Sequence, residues 1–317
     1  MSQVRTGDTG RREVCVGRSL RWSWSRARTL ESCPRKYWSQ YIGSAGGARA
    51  DAEASTRELW IQKRLHQSPA WIGIAVHSLA EWVINEASKG RIVTPREARS
   101  RIRWRMARER EASALGTYRT ASGRVVGLSE HYYGDSDADD IHHAAIDEAA
   151  RQVEQMFTHP VFARVLERID RVVEVEQLRR VTLAGVPCWV ALDAVVRLPG
   201  QSCTVVDWKT GKNHDDEMVD RQLTVYGLYV REAYGITSQE AIAVIHADLR
   251  GNTFRTVWPD GEQFDRASAE IRSSFKQMSE VEASFRADPD VDGWFPQLEV
   301  GAAACGHCRF RGACRRT

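Results

Sequence analysis

The segment Val205-Val206-Asp207-Trp208-Lys209-Thr210-Gly211-Lys212 sets a carboxylate and an ammonium two residues apart after an apolar run. In a strand, side chains two apart face the same way, so Asp207 and Lys209 would serve one surface. A carboxylate binds a hard divalent cation, and an ammonium beside it can orient or deprotonate a water and offset phosphate charge. Taken alone, an Asp-x-Lys is more often a surface ion pair. Asp193 strengthens the chemical reading. It precedes Ala194-Val195-Val196-Arg197, which leads through Leu198-Pro199-Gly200 into the Asp207 run. A hairpin of that length brings both carboxylates to one end of a sheet, close enough to share a metal. An Asp in an apolar strand is also poorly solvated and needs a partner.

Other residues extend the constellation. His77 follows Gly73-Ile74-Ala75-Val76 on an expected helix, and an imidazole placed there can complete an octahedral site otherwise built from carboxylates. Glu81, one turn later, is a candidate to orient its ring; the plainer alternative is a helix histidine satisfied by Glu81 alone. Gln222 and Tyr226 lie four apart, hence on one helix face, where amide and phenol could bind substrate phosphate or position Lys209. Tyr226 by itself would be a packing residue. Separately, Cys305-Gly306-His307-Cys308 followed by Cys314 gathers three thiolates that call for a fourth soft ligand. Ligand chemistry alone leaves Zn²⁺, with His307 as a ligand, as a rival to an iron–sulfur centre.

The elements needed to position these groups follow from periodicity and turn signals. Thr29 to Tyr41 is expected to be a short helix carrying Cys33, and Ala45 to Ala54 a loop. Trp71 to Ala87 and Arg96 to Ala114 have helical spacing, the second opened by Pro95. Gly116 to Asp140 is polar and is expected to be an exposed insertion, with more helix from Ile141 to Ile169. Val172–Leu183, Val186–Arg197 and Thr204–Trp208 are β-branched and separated by turn residues, which predicts three antiparallel strands. Helix is expected over Met218 to Tyr234, strands over Ala241–Asp248 and Phe254–Trp258, and a helix over Gly261 to Ala287. The order predicts an α/β fold with a mixed α+β sheet. The expected organisation is a flexible basic arm (1–28), a helical region with an inserted segment near 90–160 (29–170), a core (171–290) and a cysteine-rich tail (291–317).

His77, Asp193, Asp207-Trp208-Lys209 and Gln222-Leu223-Thr224-Val225-Tyr226 occur in an order and spacing that resembles the PD-(D/E)XK nuclease superfamily, in particular its RecB-like branch. The resemblance spans residues 28–314. Val190 departs from it, standing three before Asp193 where the family often has Gly, which bears on local strand geometry rather than on the metal site. The resemblance implies a restriction-endonuclease-like core in which His77, Asp193, Asp207 and the Trp208 backbone carbonyl hold Mg²⁺ or Mn²⁺ and Lys209 assists the attacking water. The reaction implied is phosphodiester hydrolysis. Glu176, on the first strand, ranks lower, because a Glu on an antiparallel strand commonly faces solvent. Glu31-Ser32-Cys33-Pro34-Arg35-Lys36-Tyr37 resembles the Cys-Pro-x-x-Tyr/Phe segment that supplies the first cluster ligand in AddB-type and CRISPR-associated RecB-like nucleases. That makes Cys33 the partner of Cys305, Cys308 and Cys314, favours a [4Fe–4S] cluster over structural Zn²⁺, and implies that the tail packs on residues 29–41.

The bulk composition is compatible with this. A chain of 317 residues, 42% hydrophobic and 27% charged, is long enough for a large core. Seven cysteines, an odd number, argue against a disulfide framework. No apolar run approaches membrane-spanning length and no secretory h-region is present, so the expectation is a cytoplasmic protein with no membrane partner. The net charge of +3 is small. Its arginines, however, cluster at Arg11 to Arg35 and Arg96 to Arg110, which suits a polyanion as well as an ordinary solvated face. Trp22, Trp24, Trp38 and Trp104 lie among arginines, a pattern that can hold single strands by stacking, although most tryptophans serve cores. The expected substrate is DNA, single-stranded or with free ends, cleaved as by an exonuclease in repair, CRISPR adaptation or phage defence. No helicase motif is present, so unwinding would come from a helicase or defence protein in trans. A structure-specific endonuclease and a non-catalytic DNA-binding scaffold subunit are the alternatives.

Overall fold

A computed structural model describes residues 20–120, 125–211, 215–238, 241–299 and 302–314. Cys15, Lys212 and the arginines before residue 19 lie outside these. The N-terminal half contains α1 (Trp24–Ser32), α2 (Pro34–Tyr37), α3 (Ala54–Lys63), β1 (Leu65–His66), α4 (Ser68–Ser88), α5 (Pro95–Ala114), β2 (Gly127–Leu128), α6 (Ser129–Tyr133), α7 (Ala138–Thr158) and α8 (Pro160–Glu167). There follow β3 (Val172–Leu183), β4 (Val186–Leu198), β5 (Ser202–Lys209), α9 (Asp216–Ala233), β6 (Ile242–Asp248), β7 (Thr253–Val257) and α10 (Gly261–Ala287). The chain closes with the short helices α11 (Val291–Trp294), α12 (Ala303–Gly306) and α13 (Arg311–Cys314).

β3 to β7 form one sheet in chain order. Its pairings are antiparallel except for β5 and β6, which run parallel and are connected through α9. The β3–β4 hairpin turns at Ala184-Gly185, both with positive φ (50° and 79°), the conformation that matches strand twist in a two-residue loop. Strand alternation divides the core into two layers. Ala194, Val196, Val206 and Trp208 face α4, α5, α7 and α8. Val195, Val205 and Val244 face α1, α2, α9 and α10. The fold is therefore the mixed α/β architecture expected, with helices on both faces of the sheet. Among the described residues no helix is long and apolar enough to cross a membrane.

Three expectations need correction. The basic arm does not extend to residue 28. Trp22 is 1% exposed, exchanges backbone hydrogen bonds with Pro187 and Trp189, and donates its indole N–H to Ser274 Oγ at 2.8 Å; α1 begins two residues later. The helix expected over 29–41 breaks at Cys33, whose extended backbone (φ −163°) ends α1 and whose Sγ accepts the Lys36 N–H to start α2. In its described parts, 116–120 and 125–140, the segment is not an exposed insertion. Tyr118, Leu128 and Glu130 are buried, and β2 pairs with β1 so closely that a Cβ on Gly127 would meet Tyr118 and Leu65 at under 3 Å. Around it, α5 and α7 join α4 in the core.

The tail is pinned to α2. Arg35 donates to the Phe295 carbonyl at 2.8 Å and pairs with Asp292, and the Phe295 ring stacks on Tyr37 at 6.1 Å. Replacing Trp22 with Ala is expected to cost about 3–5 kcal/mol in urea unfolding, as for a fully buried aromatic. A cost below about 1 kcal/mol would mean that the start of the described chain is not part of the cooperative fold.

Candidate active site

Four elements converge at one end of the sheet. α4 supplies His77, β3 Glu176, β4 Asp193, and β5 Asp207 and Lys209. His77 Nδ1 lies 2.8 Å from Glu176 Oε1 and 3.3 Å from Asp193 Oδ1, and ligand atoms of the three residues all fall within 4.8 Å of one another. Asp193 Oδ2 accepts the Trp208 backbone N–H at 2.6 Å, which fixes that carboxylate to the next strand. Asp207, 3% exposed, receives Lys209 Nζ at 3.1 Å on Oδ1 and 2.9 Å on Oδ2. The Oδ2 contact is an ion pair without a well-directed hydrogen bond. Nζ also donates to Gln222 Oε1 at 3.2 Å, and Gln222 Nε2 donates to the Tyr226 hydroxyl at 2.6 Å.

The expected residues thus come together, with two changes of role. Glu176 was ranked as peripheral, yet it stands against His77 and Asp193. It adopts φ +49°, a left-handed conformation that costs a non-glycine residue about 1–3 kcal/mol and gathers at functional sites. Glu81 does not hold the His77 ring; Glu176 does. Glu81 lines the same cavity and acts on Glu176 through its charge. Gly73 was not singled out as a site residue. A Cβ there would stand 3.1 Å from Thr210 Oγ1, so its absence lets α4 approach the end of β5. Gly73, His77, Glu81 and Glu176 line an open cavity of about 420 Å³.

Crowding charges into a buried site sets the electrostatics. Burial raises the Asp207 pKa, Lys209 draws it down and Asp193 pushes it up again, leaving it at about 6 against an ordinary 3.8. Burial raises Glu176 too, against the hydrogen bond from His77. Burial works against a charged His77, but Asp193 and Glu176 outweigh it and hold the imidazole well above its ordinary range. Burial and the charges of Asp207 and Asp193 keep the Tyr226 phenol protonated. Three carboxylates and an imidazole, one carboxylate oxygen lacking a directed partner, fit a hard divalent cation of the Mg²⁺ or Mn²⁺ kind.

The cysteines form a second locus. Cys33, Cys305, Cys308 and Cys314 line one cavity of about 60 Å³ between the start of α2 and the tail. Burial pushes the Cys308 and Cys314 thiols up, with Lys36 and Arg35 opposing and the other cysteines adding to it. Cys188 and Cys203 are buried in the sheet. Of the four tryptophans named as stacking candidates, Trp22 is core, whereas Trp104 is 63% exposed with Arg108 over its ring at 5.0 Å.

Acidic and imidazole groups gathered beside an Asp-x-Lys have the donor chemistry of a candidate divalent-metal centre. The chain belongs to the PD-(D/E)XK nuclease superfamily, whose family profile matches residues 21–315. No curated protein matches it.

A cation bound among these groups would compete with protons. Asp207 and His77 both have raised pKa values, so the metal-free fold holds protons that the unfolded chain releases earlier, and their contribution to stability falls as pH rises, from 3.8 to about 6 for Asp207 and from 6.5 upward for His77. A divalent cation such as Mn²⁺, if held here, would replace those protons. The rise in melting temperature on adding Mn²⁺ is expected to grow between about pH 5 and pH 7.5; a gain that is constant or shrinks over that range would contradict this.

Proposed function

We propose that the protein is a Mg²⁺- or Mn²⁺-dependent deoxyribonuclease of the RecB-like branch that degrades DNA from single-stranded ends, and that an iron–sulfur cluster on Cys33, Cys305, Cys308 and Cys314 fastens its tail to α2. The observation that carries the nuclease reading is the meeting of His77, Glu176 and Asp193 beside the Asp207–Lys209–Gln222 chain, at the mouth of an open cavity. His77, Asp193 and Asp207 would hold the ion, with Glu176 as a further ligand and the Trp208 carbonyl as a candidate one. When bound, the ion supplies an activated water and neutralises charge on the phosphate.

The remaining work falls to side chains. Asp207 and Gln222 hold Lys209 Nζ beside the ligand set, where it can orient the attacking water and meet the developing negative charge. Tyr226 fixes the Gln222 amide, so the ammonium keeps its place when a substrate enters. The exposed Trp104 with its stacked Arg108 offers a platform for an unpaired base. Such an enzyme would work in the cytoplasm in repair, CRISPR adaptation or phage defence, with a helicase or defence partner opening duplexes.

The cluster reading is supported by four thiols around a single cavity.

One anaerobic preparation tests both parts. With Mn²⁺ and end-labelled single-stranded DNA, Asp207→Asn and Lys209→Ala are each expected to lose about 10²–10⁴-fold in cleavage rate while remaining folded. About four irons per chain and visible absorption are expected of the wild type. Undiminished cleavage by Asp207→Asn would overturn the site, no cleavage by any form would favour a scaffold role, and a colourless zinc protein would overturn the cluster.

A further inference from the structure

A second group of metal-ligating side chains lies away from the sheet, in the helical region. His131 on α6 and Asp139 and His142 on the first turns of α7 each offer a ligand atom, and these lie within 4.8 Å of one another. His131 Nε2 is 3.9 Å from Asp139 Oδ1, and the two imidazoles meet edge to face with ring centres 4.4 Å apart. The left-handed Gly134 (φ +73°) ends α6 and lets the chain turn back into α7, which brings the two histidines together.

The hydrogen bonds around the rings assign their nitrogens. His142 is fully buried, and its Nε2 lies 3.3 Å from Glu130 Oε2. The other Glu130 oxygen, Oε1, accepts the Ser68 N–H and the Ser68 hydroxyl, both at 3.0 Å, so the Glu130 carboxylate is fixed as an acceptor facing His142. His142 Nε2 therefore carries the hydrogen, and in the neutral ring Nδ1 is left with a bare lone pair. That Nδ1 is buried without a partner. His131 Nδ1 is taken up by Ser113 Oγ at 3.0 Å, which leaves Nε2 towards Asp139. Each imidazole is thus held by a hydrogen bond on one nitrogen and keeps the other for a ligand, the arrangement by which carboxylates and hydroxyls orient metal-bound histidines.

We propose that His131, His142 and Asp139 form a second, structural site for a borderline divalent transition ion of the zinc type. Two imidazoles and one carboxylate select Zn²⁺ over Mg²⁺, and Asp139, with its side chain 72% exposed, leaves room for a water as fourth ligand. Arg110 holds the same Asp139 oxygen at 2.7 Å and would offset part of its charge. The site clips α6 to α7. α6 in turn carries Tyr133, whose hydroxyl donates to the Arg309 carbonyl at 2.8 Å and accepts the Gly312 N–H at 3.2 Å. An ion here would brace the platform on which the cysteine-bearing tail rests.

Full-length protein stripped of metal is titrated with Zn²⁺ alone, and bound zinc and melting temperature are followed for wild type, Asp139→Asn, His131→Gln and Glu130→Gln. Zinc taken up at the sheet site or the cysteines is common to all forms. Asp139→Asn and His131→Gln are each expected to bind one zinc fewer and to lose part of the thermal gain. Glu130→Gln is expected to weaken that zinc about 10–100-fold. Asp139 is exposed, so its variant is expected to melt with the wild type in the absence of metal, which separates a lost ligand from a lost fold. Equal zinc stoichiometry and equal thermal gain in wild type and Asp139→Asn would overturn the proposal.

Discussion

The constraint on which the rest of the structure depends is the enclosure of three carboxylates and a histidine at one end of a sheet. Carboxylates this close, in a medium of low dielectric, cannot all stay charged without a cation among them. Asp207 shows the strain most directly, buried with a pKa of about 6 and one oxygen served only by an ion pair. The surroundings answer that demand from several sides. The Trp208 N–H stabilises Asp193, Lys209 stabilises Asp207, and His77 bridges Asp193 and Glu176.

The fold serves this enclosure. The hairpin between β4 and β5 sets Asp193 and Asp207 on neighbouring strands, and strand alternation leaves their apolar neighbours to the two helical layers. α4 packs against the sheet closely enough, through Gly73, to bring His77 to the strand ends. α9 lies over β5 and returns Gln222 and Tyr226 to Lys209. The backbone strain at Glu176 is borne where the neighbouring strand and α4 both hold it in place, as strain at functional sites generally is.

Much of this could be read in the sequence. Period-two runs with turn residues at Ala184-Gly185 and Pro199-Gly200 marked the strands, and α10 occupies the Gly261 to Ala287 span its periodicity predicts. The grouping of His77, Asp193, Asp207, Lys209, Gln222 and Tyr226 was implied by the resemblance of their order to the PD-(D/E)XK pattern. Glu176 was underrated because its role depends on a left-handed φ that a glutamate does not advertise. The burial of Tyr118, Leu128 and Glu130 was hidden because it depends on Leu65, some sixty positions upstream of β2, and that of Trp22 because its strand partners lie at 187–189. The pairing of His131 with His142 was equally hidden, since a turn at Gly134 creates it rather than any helical spacing.

On the proposed function, one divalent ion belongs among His77, Asp193 and their neighbouring carboxylates. Anomalous diffraction from crystals soaked in Mn²⁺ tests it directly. The account predicts a peak at bonding distance, about 2–2.3 Å, from the His77 imidazole and the Asp193 carboxylate. Mn²⁺ found only elsewhere, with the His77–Glu176 contact intact, would contradict it.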